Sequence, residues 1–186
     1  MLKGTSGSRQ LNLPGITELR AGESVIRVRN NRIPHRKILT ALESATEESA
    51  GLVEVYRSSV LPVKTRTIHL FGRKSSPRII NTLLGYEVQA AYKRIHCPDM
   101  ATARYLKLFT ELGCHSIRLP YDPTVTSSIL PAMEGSVERL KRGVAAMFPA
   151  SREVRTYVMR CVFRHLRRQL RALPLSQREQ PAIPNE

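Results

Sequence analysis

A chain of 186 residues with 41% hydrophobic content can bury one sizeable core and is too apolar for disorder over most of its length. Thirty basic residues stand against 15 acidic ones, a net charge of +15, and this surplus makes a polyanion the expected partner: nucleic acid first, then an acidic protein or an anionic membrane surface. No apolar run approaches the about 20 residues of a membrane-spanning helix, and the opening MLKGTSGSRQLNLPG lacks the continuous hydrophobic stretch of a secretory signal.

Of the basic residues, 23 are Arg and 7 are Lys. That bias suits phosphate, because a planar guanidinium donates two parallel hydrogen bonds where an ammonium offers a point charge. The three cysteines, Cys97, Cys114 and Cys161, are an odd and sparse set, which fits free thiols in a reducing compartment and a cytoplasmic location.

Residues 1–22 carry Gly, Ser and Pro with little periodicity and read as a flexible arm. ESVIRVR, from Glu23 to Arg29, alternates and predicts a half-exposed strand with a basic outer side. NNRIPHRK reads as a turn, with Pro34 pre-setting the first position of a helix that runs to about Ser49 and ends at Gly51. LVEVYR (Leu52–Arg57) predicts a second strand and RTIHLF (Arg66–Phe71) a third. GRKSS (Gly72–Ser76) is a polar turn, and PRIINTLL after it predicts a short helix ending at Gly85. Tyr86–Gln89 follows as a strand, joined by a tight turn at Ala90–Tyr92 to Lys93.

The stretch KRIHCPDMATARYLKLFTELGCHSIRLPYD (Lys93–Asp122) reads most clearly, as strand, helix, strand. Asp99 stands where a cap belongs. Ala101, Tyr105, Leu106, Leu108, Phe109 and Leu112 share one side of a 3.6-residue period. Gly113 sits where a left-handed helix end wants glycine. A crossover of this length predicts a parallel return, a βαβ unit. TIHLFGRKSSPRIINTLLG echoes this stretch, as if a second βα unit preceded it. Beyond Asp122, Pro131 and Gly135 predict a break between two helices.

The last helix, Ser151–Leu173, shows the sharpest segregation of charge. At 100° per residue, Val154, Val158, Cys161, Val162, Leu166, Leu170 and Leu173 fall on one broad side. Arg160, Arg164, Arg167, Arg168 and Arg171 fall within about 100° on the other. Guanidinium groups crowded so closely repel one another unless an anion is near. A solvated face and a membrane-surface helix with its apolar side toward lipid are the competing readings. Trp is absent, so phosphate-led binding is expected in place of base stacking.

Chemistry is thinly supplied. His96-Cys97 and Cys114-His115 are doublets on predicted strands, but adjacent strand residues point to opposite faces, and the knuckle spacing of a zinc site is missing. The sole aspartates, Asp99 and Asp122, follow predicted parallel strands, where open α/β sheets place their ligands. With His96 and Arg118 they form the candidate catalytic set: Asp99, Asp122 and His96 carrying the chemistry. Nucleophile-elbow, Walker and dinucleotide-binding glycine motifs are all missing.

These observations predict an α/β fold: a small, mostly parallel or mixed sheet built from βαβ units, followed by a C-terminal helical region ending in a basic amphipathic helix. The expected organisation is an arm over 1–22, an α/β core over 23–123, packed helices over 124–173 and a disordered tail over 174–186. The expected function is nucleic-acid binding, without cofactor or metal. Arg160, Arg164, Arg167, Arg168 and Arg171 contact phosphates, and Arg27, Arg29, Arg32, Arg36 and Lys37 form a second patch. The alternatives are an enzyme on a phosphorylated or nucleic-acid substrate, and a basic adaptor for an acidic protein or membrane.

Overall fold

The computed structural model describes residues 25–28, 31–70, 76–90 and 92–173. The expected arm over 1–22, the tail over 174–186, Arg29 and most of the GRKSS turn lie outside the described residues. The elements run β1 (Val25–Val28), β2 (Asn31–Pro34), α1 (His35–Val55), β3 (Thr65–His69), β4 (Arg78–Thr82), β5 (Gly85–Ala90), β6 (Lys93–Cys97), α2 (Met100–Leu112), β7 (Ser116–Pro120), α3 (Pro123–Met147) and α4 (Arg152–Ala172).

The fold is mixed α/β, but its sheets are antiparallel where parallel βαβ units were expected. β1 pairs with β2, β3 with β7, and β4–β5–β6 form a meander. The strand–helix–strand order over Lys93–Pro120 is present, yet β6 and β7 belong to different sheets. The reason lies in local pairing. A tight turn delivers β6 straight onto β5, with Val88 opposite Ile95. β6 is then exposed along much of its length, with Cys97 buried at its end, which suits a one-sided antiparallel sheet and not a doubly covered parallel one. β7, buried from Ile117 to Pro120, pairs instead with β3.

Three further expectations are corrected. The helix predicted over PRIINTLL is a strand, β4, followed by a turn at Leu83-Leu84 that exposes both leucines fully to solvent. Gly85 makes that turn possible: its φ is +120°, and a Cβ there would meet the Cys97 carbonyl oxygen at 3.0 Å. The echo between the two Ile-His stretches therefore does not extend to structure. Second, LVEVYR is no strand. α1 continues through Gly51 and ends in a π-helical turn, Tyr56–Val60. Glycine inside a helix costs about 1 kcal/mol, while Leu52, Val53, Tyr56 and Val60, all buried at helical spacing, each return about 1.5–3 kcal/mol. Third, α3 runs unbroken through Pro131 and Gly135. Both are on its open side, and Ile129, Leu130, Met133, Val137, Leu140 and Val144 hold the other side in the core.

The helices pack around one another: α1 against α3 and α4, and α2 between α3 and the β4–β5–β6 meander. Arg104 clamps α2 to α3 through both Glu134 oxygens, with its Nε–H donating to Oε1 at 3.0 Å. At the centre, Phe109 stacks edge-on against Tyr56 at 5.7 Å and tilted against Tyr105 at 4.9 Å. Both tyrosine hydroxyls serve β7. Tyr105 donates to the Arg118 carbonyl at 2.8 Å, and the Arg118 N–H donates to Tyr56 at 3.1 Å.

The ends of α2 are as expected. Asp99 accepts from the Thr102 N–H at 2.7 Å, and Gly113 closes the helix at φ 76°. Replacing Asp99 by Ala should lower stability by about 1 kcal/mol, read as a shift in the urea midpoint. A variant that unfolds at the wild-type midpoint would show that the cap contributes nothing.

A candidate anion-binding face on the last helix

Ser151 opens α4 by accepting from the Val154 N–H at 3.3 Å. Val154, Val158, Val162, Phe163 and Leu166 are buried, and Cys161, Leu170 and Leu173 pack partly against the same core. Fixing that side fixes the other. Arg160, Arg164, Arg168 and Arg171 are exposed and Arg167 is half-buried. From Arg160 to Arg171 the helix rises about 17 Å, the axial reach of about five phosphates along one strand.

What surrounds these five cations decides how they act. Among the described residues, no carboxylate forms an ion pair with any of them; two exposed acids, Glu54 and Glu138, are engaged elsewhere, with Arg57 and Lys141. Among the described residues, Arg167 is the one of the five that donates a hydrogen bond to the protein. Its Nη1–H donates to the Leu112 carbonyl at 2.6 Å, at the end of α2. Burial, with the neighbouring charges of Arg171 and Arg164, pushes Arg167 below the ordinary arginine value, against an opposing influence from Cys114. Burial and Arg168 likewise push His165 down, so this histidine adds no charge to the row at neutral pH.

At its C-terminal end the row enters a cleft of about 280 Å³ between α4, the start of β7 and the π-helical turn. Tyr56 and Leu61 form one wall, Cys114 and His115 a second, and Arg167, Leu170 and Arg171 a third. Neither Asp nor Glu is among its lining residues. The potential anions in its walls are held neutral: burial pushes the Cys114 thiol up to about 11 and the Tyr56 hydroxyl up to about 12.

This cleft was not visible in the sequence. Its cationic wall and the α2 terminus it leans on are 55 residues apart, and the chain is turned toward α4 by the left-handed Gly113. The Cys114-His115 doublet is the one signal in the sequence, and with knuckle spacing missing it does not point to a metal. Among the described residues no group of three or more His, Cys, Asp or Glu is placed to hold an ion.

The second basic patch draws on β1, β2 and the first turn of α1, with Arg29 outside the described residues. The β1–β2 register sets Arg27 opposite Arg32. Arg36 and Lys37 are exposed in the first turn of α1, and Lys37 Nζ lies 5.5 Å from the centre of the Phe148 ring. β1 packs near α4.

The parallel strand ends at which Asp99, Asp122, His96 and Arg118 are expected to converge do not form, because β6 and β7 are in separate antiparallel sheets. Both Asp99 oxygens are engaged by Thr102, at 2.7 Å each. Asp122 accepts from the Thr124 hydroxyl and N–H at 2.7 and 2.8 Å, and these bonds pull its carboxyl below the usual value. Both are helix caps. His96 is exposed opposite Glu87.

Thiol reactivity gives a direct check on this arrangement. Cys97 is pushed up to about 11 mainly by burial, as is Cys114, so alkylation at pH 7.5 should be slow at both and accelerate strongly in urea. Rapid labelling of Cys114 in the folded protein, read by mass spectrometry, would place that thiol outside the wall described.

No described helix is long and apolar enough to cross a membrane. Comparisons with protein-family models, curated proteins and solved structures found no match for the chain.

Proposed function

We propose that this protein is a cytoplasmic nucleic-acid-binding protein in which α4 acts as a basic amphipathic helix, its arginine row lying along a phosphate backbone. The observation that supports this reading most strongly is the combination of five guanidinium groups on one side of α4 with no carboxylate partner among the described residues. Like charges held this close favour an external polyanion, and arginine favours phosphate over carboxylate-poor solvent. Arg27, Arg29, Arg32, Arg36 and Lys37 form the secondary contact. Recognition is by charge and shape, since the one aromatic on that side of α4, Tyr157, packs partly against the core and is not an open platform for stacking on bases.

The test is salt dependence. With five phosphates neutralised, a plot of log affinity against log salt should slope at about −4.5 for duplex DNA, measured by fluorescence anisotropy between 50 and 200 mM KCl. Binding that ignores ionic strength would reject the reading. A pull-down repeated after nuclease treatment separates it from an adaptor for an acidic protein, whose partner would survive the nuclease.

A further inference from the structure

The cleft at the end of the arginine row differs from the row itself. Along most of α4 the guanidinium groups are open to solvent, which suits a backbone diester sliding past. In the cleft Arg167 is half-buried and held at the α2 terminus by its 2.6 Å bond to Leu112. One of its five N–H groups is used there, leaving the rest of the fork to donate elsewhere. Arg171 follows one turn later on the same side. Arg167 and Arg171, with Arg118 also in the lining, stand in a cleft whose described walls hold no Asp or Glu, beside His115 and with apolar Leu61 and Leu170 adjoining, and they offer more charge than one diester neutralises. A phosphate monoester carries about −1.5 to −2 at neutral pH, against −1 for a diester. A volume of about 280 Å³ sits at the small end of ligand pockets, enough for one terminal nucleotide and too little for a duplex.

We propose that this cleft binds a phosphate monoester, supplied by the phosphorylated end of a nucleic-acid strand whose backbone continues along Arg168, Arg164 and Arg160. The strand-borne source rests on the nucleic-acid reading above; the monoester site does not. Arg167 is the fixed donor, Arg171 closes over the phosphate, and the apolar wall covers one face of the terminal sugar and base.

Two assays on the whole protein test this. In the first, single-stranded 12-mers with a 5′-phosphate, a 3′-phosphate or hydroxyl ends are compared by anisotropy at 100 mM KCl. One phosphorylated end should bind about tenfold tighter than the hydroxyl form. That preference should vanish in Arg171→Ala and persist in Arg160→Ala, which loses affinity for all three alike. In the second, adenosine monophosphate is titrated by calorimetry into wild type and Arg171→Ala, with adenosine as the control.

A strand-end preference abolished by Arg171→Ala supports the proposal with a nucleic-acid source. Saturable binding of the monophosphate, lost in Arg171→Ala, without any strand-end preference supports the monoester site and assigns it a free nucleotide. Equal binding of all three strands together with no monophosphate binding overturns the proposal while leaving the arginine row intact. If no strand binds at all, the nucleic-acid reading falls, and the monophosphate titration alone decides the cleft. Both variants should keep the wild-type melting temperature, because Arg160 and Arg171 are exposed.

Discussion

Reversing Arg160, Arg164 and Arg168 together to Glu should weaken nucleic-acid binding by on the order of 10²–10³-fold at 0.1 M salt. Counterion release sets this magnitude. Each phosphate neutralised is worth a factor of about 8 between 1 M and 0.1 M salt, so three lost contacts multiply to several hundred. The salt slope should fall at the same time, from about −4.5 to about −1.8. These three positions are the right ones because they are exposed and have no described protein partner. Arg167 is excluded from the set. It bonds the end of α2, and its loss would mix a folding effect with a binding one. Circular dichroism and melting should match wild type. A triple variant that binds normally, with an unchanged slope, would move the contact surface away from α4.

The largest effect on stability should come from Phe109→Ala, a loss of about 3–5 kcal/mol. Phe109 is fully buried and stands between Tyr56 and Tyr105. Its removal opens a cavity next to two hydroxyls that organise β7, and tyrosines so constrained cannot swing in to fill it. Against the 5–15 kcal/mol of an ordinary domain, this is about a fifth of the total or more. The urea midpoint should drop by about 2 M. Leu83→Ala is the matched control: Leu83 is fully exposed, and its removal should change stability by less than about 0.5 kcal/mol. Equal effects from the two variants would mean that the aromatic trio is not the centre of the core.

Short-range chemistry was legible in the sequence, and long-range pairing was not. Asp99, Gly113 and Ser151 mark helix ends by acting within a few residues of themselves, so their roles could be read directly. The buried side of α2 was legible for the same reason, since thirteen residues give more than three turns of a single period. Six- to eight-residue stretches carried too little. In Leu52–Arg57 the apolar positions fit alternation and helix alike, and contact with the rest of α1 decided for helix. In Arg78–Leu84 the spacing of Ile79, Ile80, Leu83 and Leu84 fits a helix better, yet β-branching at Ile79, Ile80 and Thr82 and the turn at Gly85 produced a strand.

Partner choice among strands is set by tertiary contact, so a correct strand–helix–strand sequence was joined to the wrong sheet. The same limit hid the cleft. The arginine row was readable as a row because it repeats along one helix. That two of its members meet Cys114 and His115 depends on a contact bridging 55 residues.

The β3–β7 ladder sets an order of events during synthesis. Thr65–His69 leaves the ribosome about 50 residues before Ser116–Pro120, its one strand partner among the described residues. At 5–20 residues per second, the delay is about 3–10 s. Throughout it, β3 has bare N–H and C=O groups on both edges, while the β4–β5–β6 meander downstream can close on itself within microseconds of emerging. A nascent chain stalled before Ser116 therefore carries a helix and a finished meander separated by an adhesive ribbon, and it is this ribbon that a chaperone would have to shield.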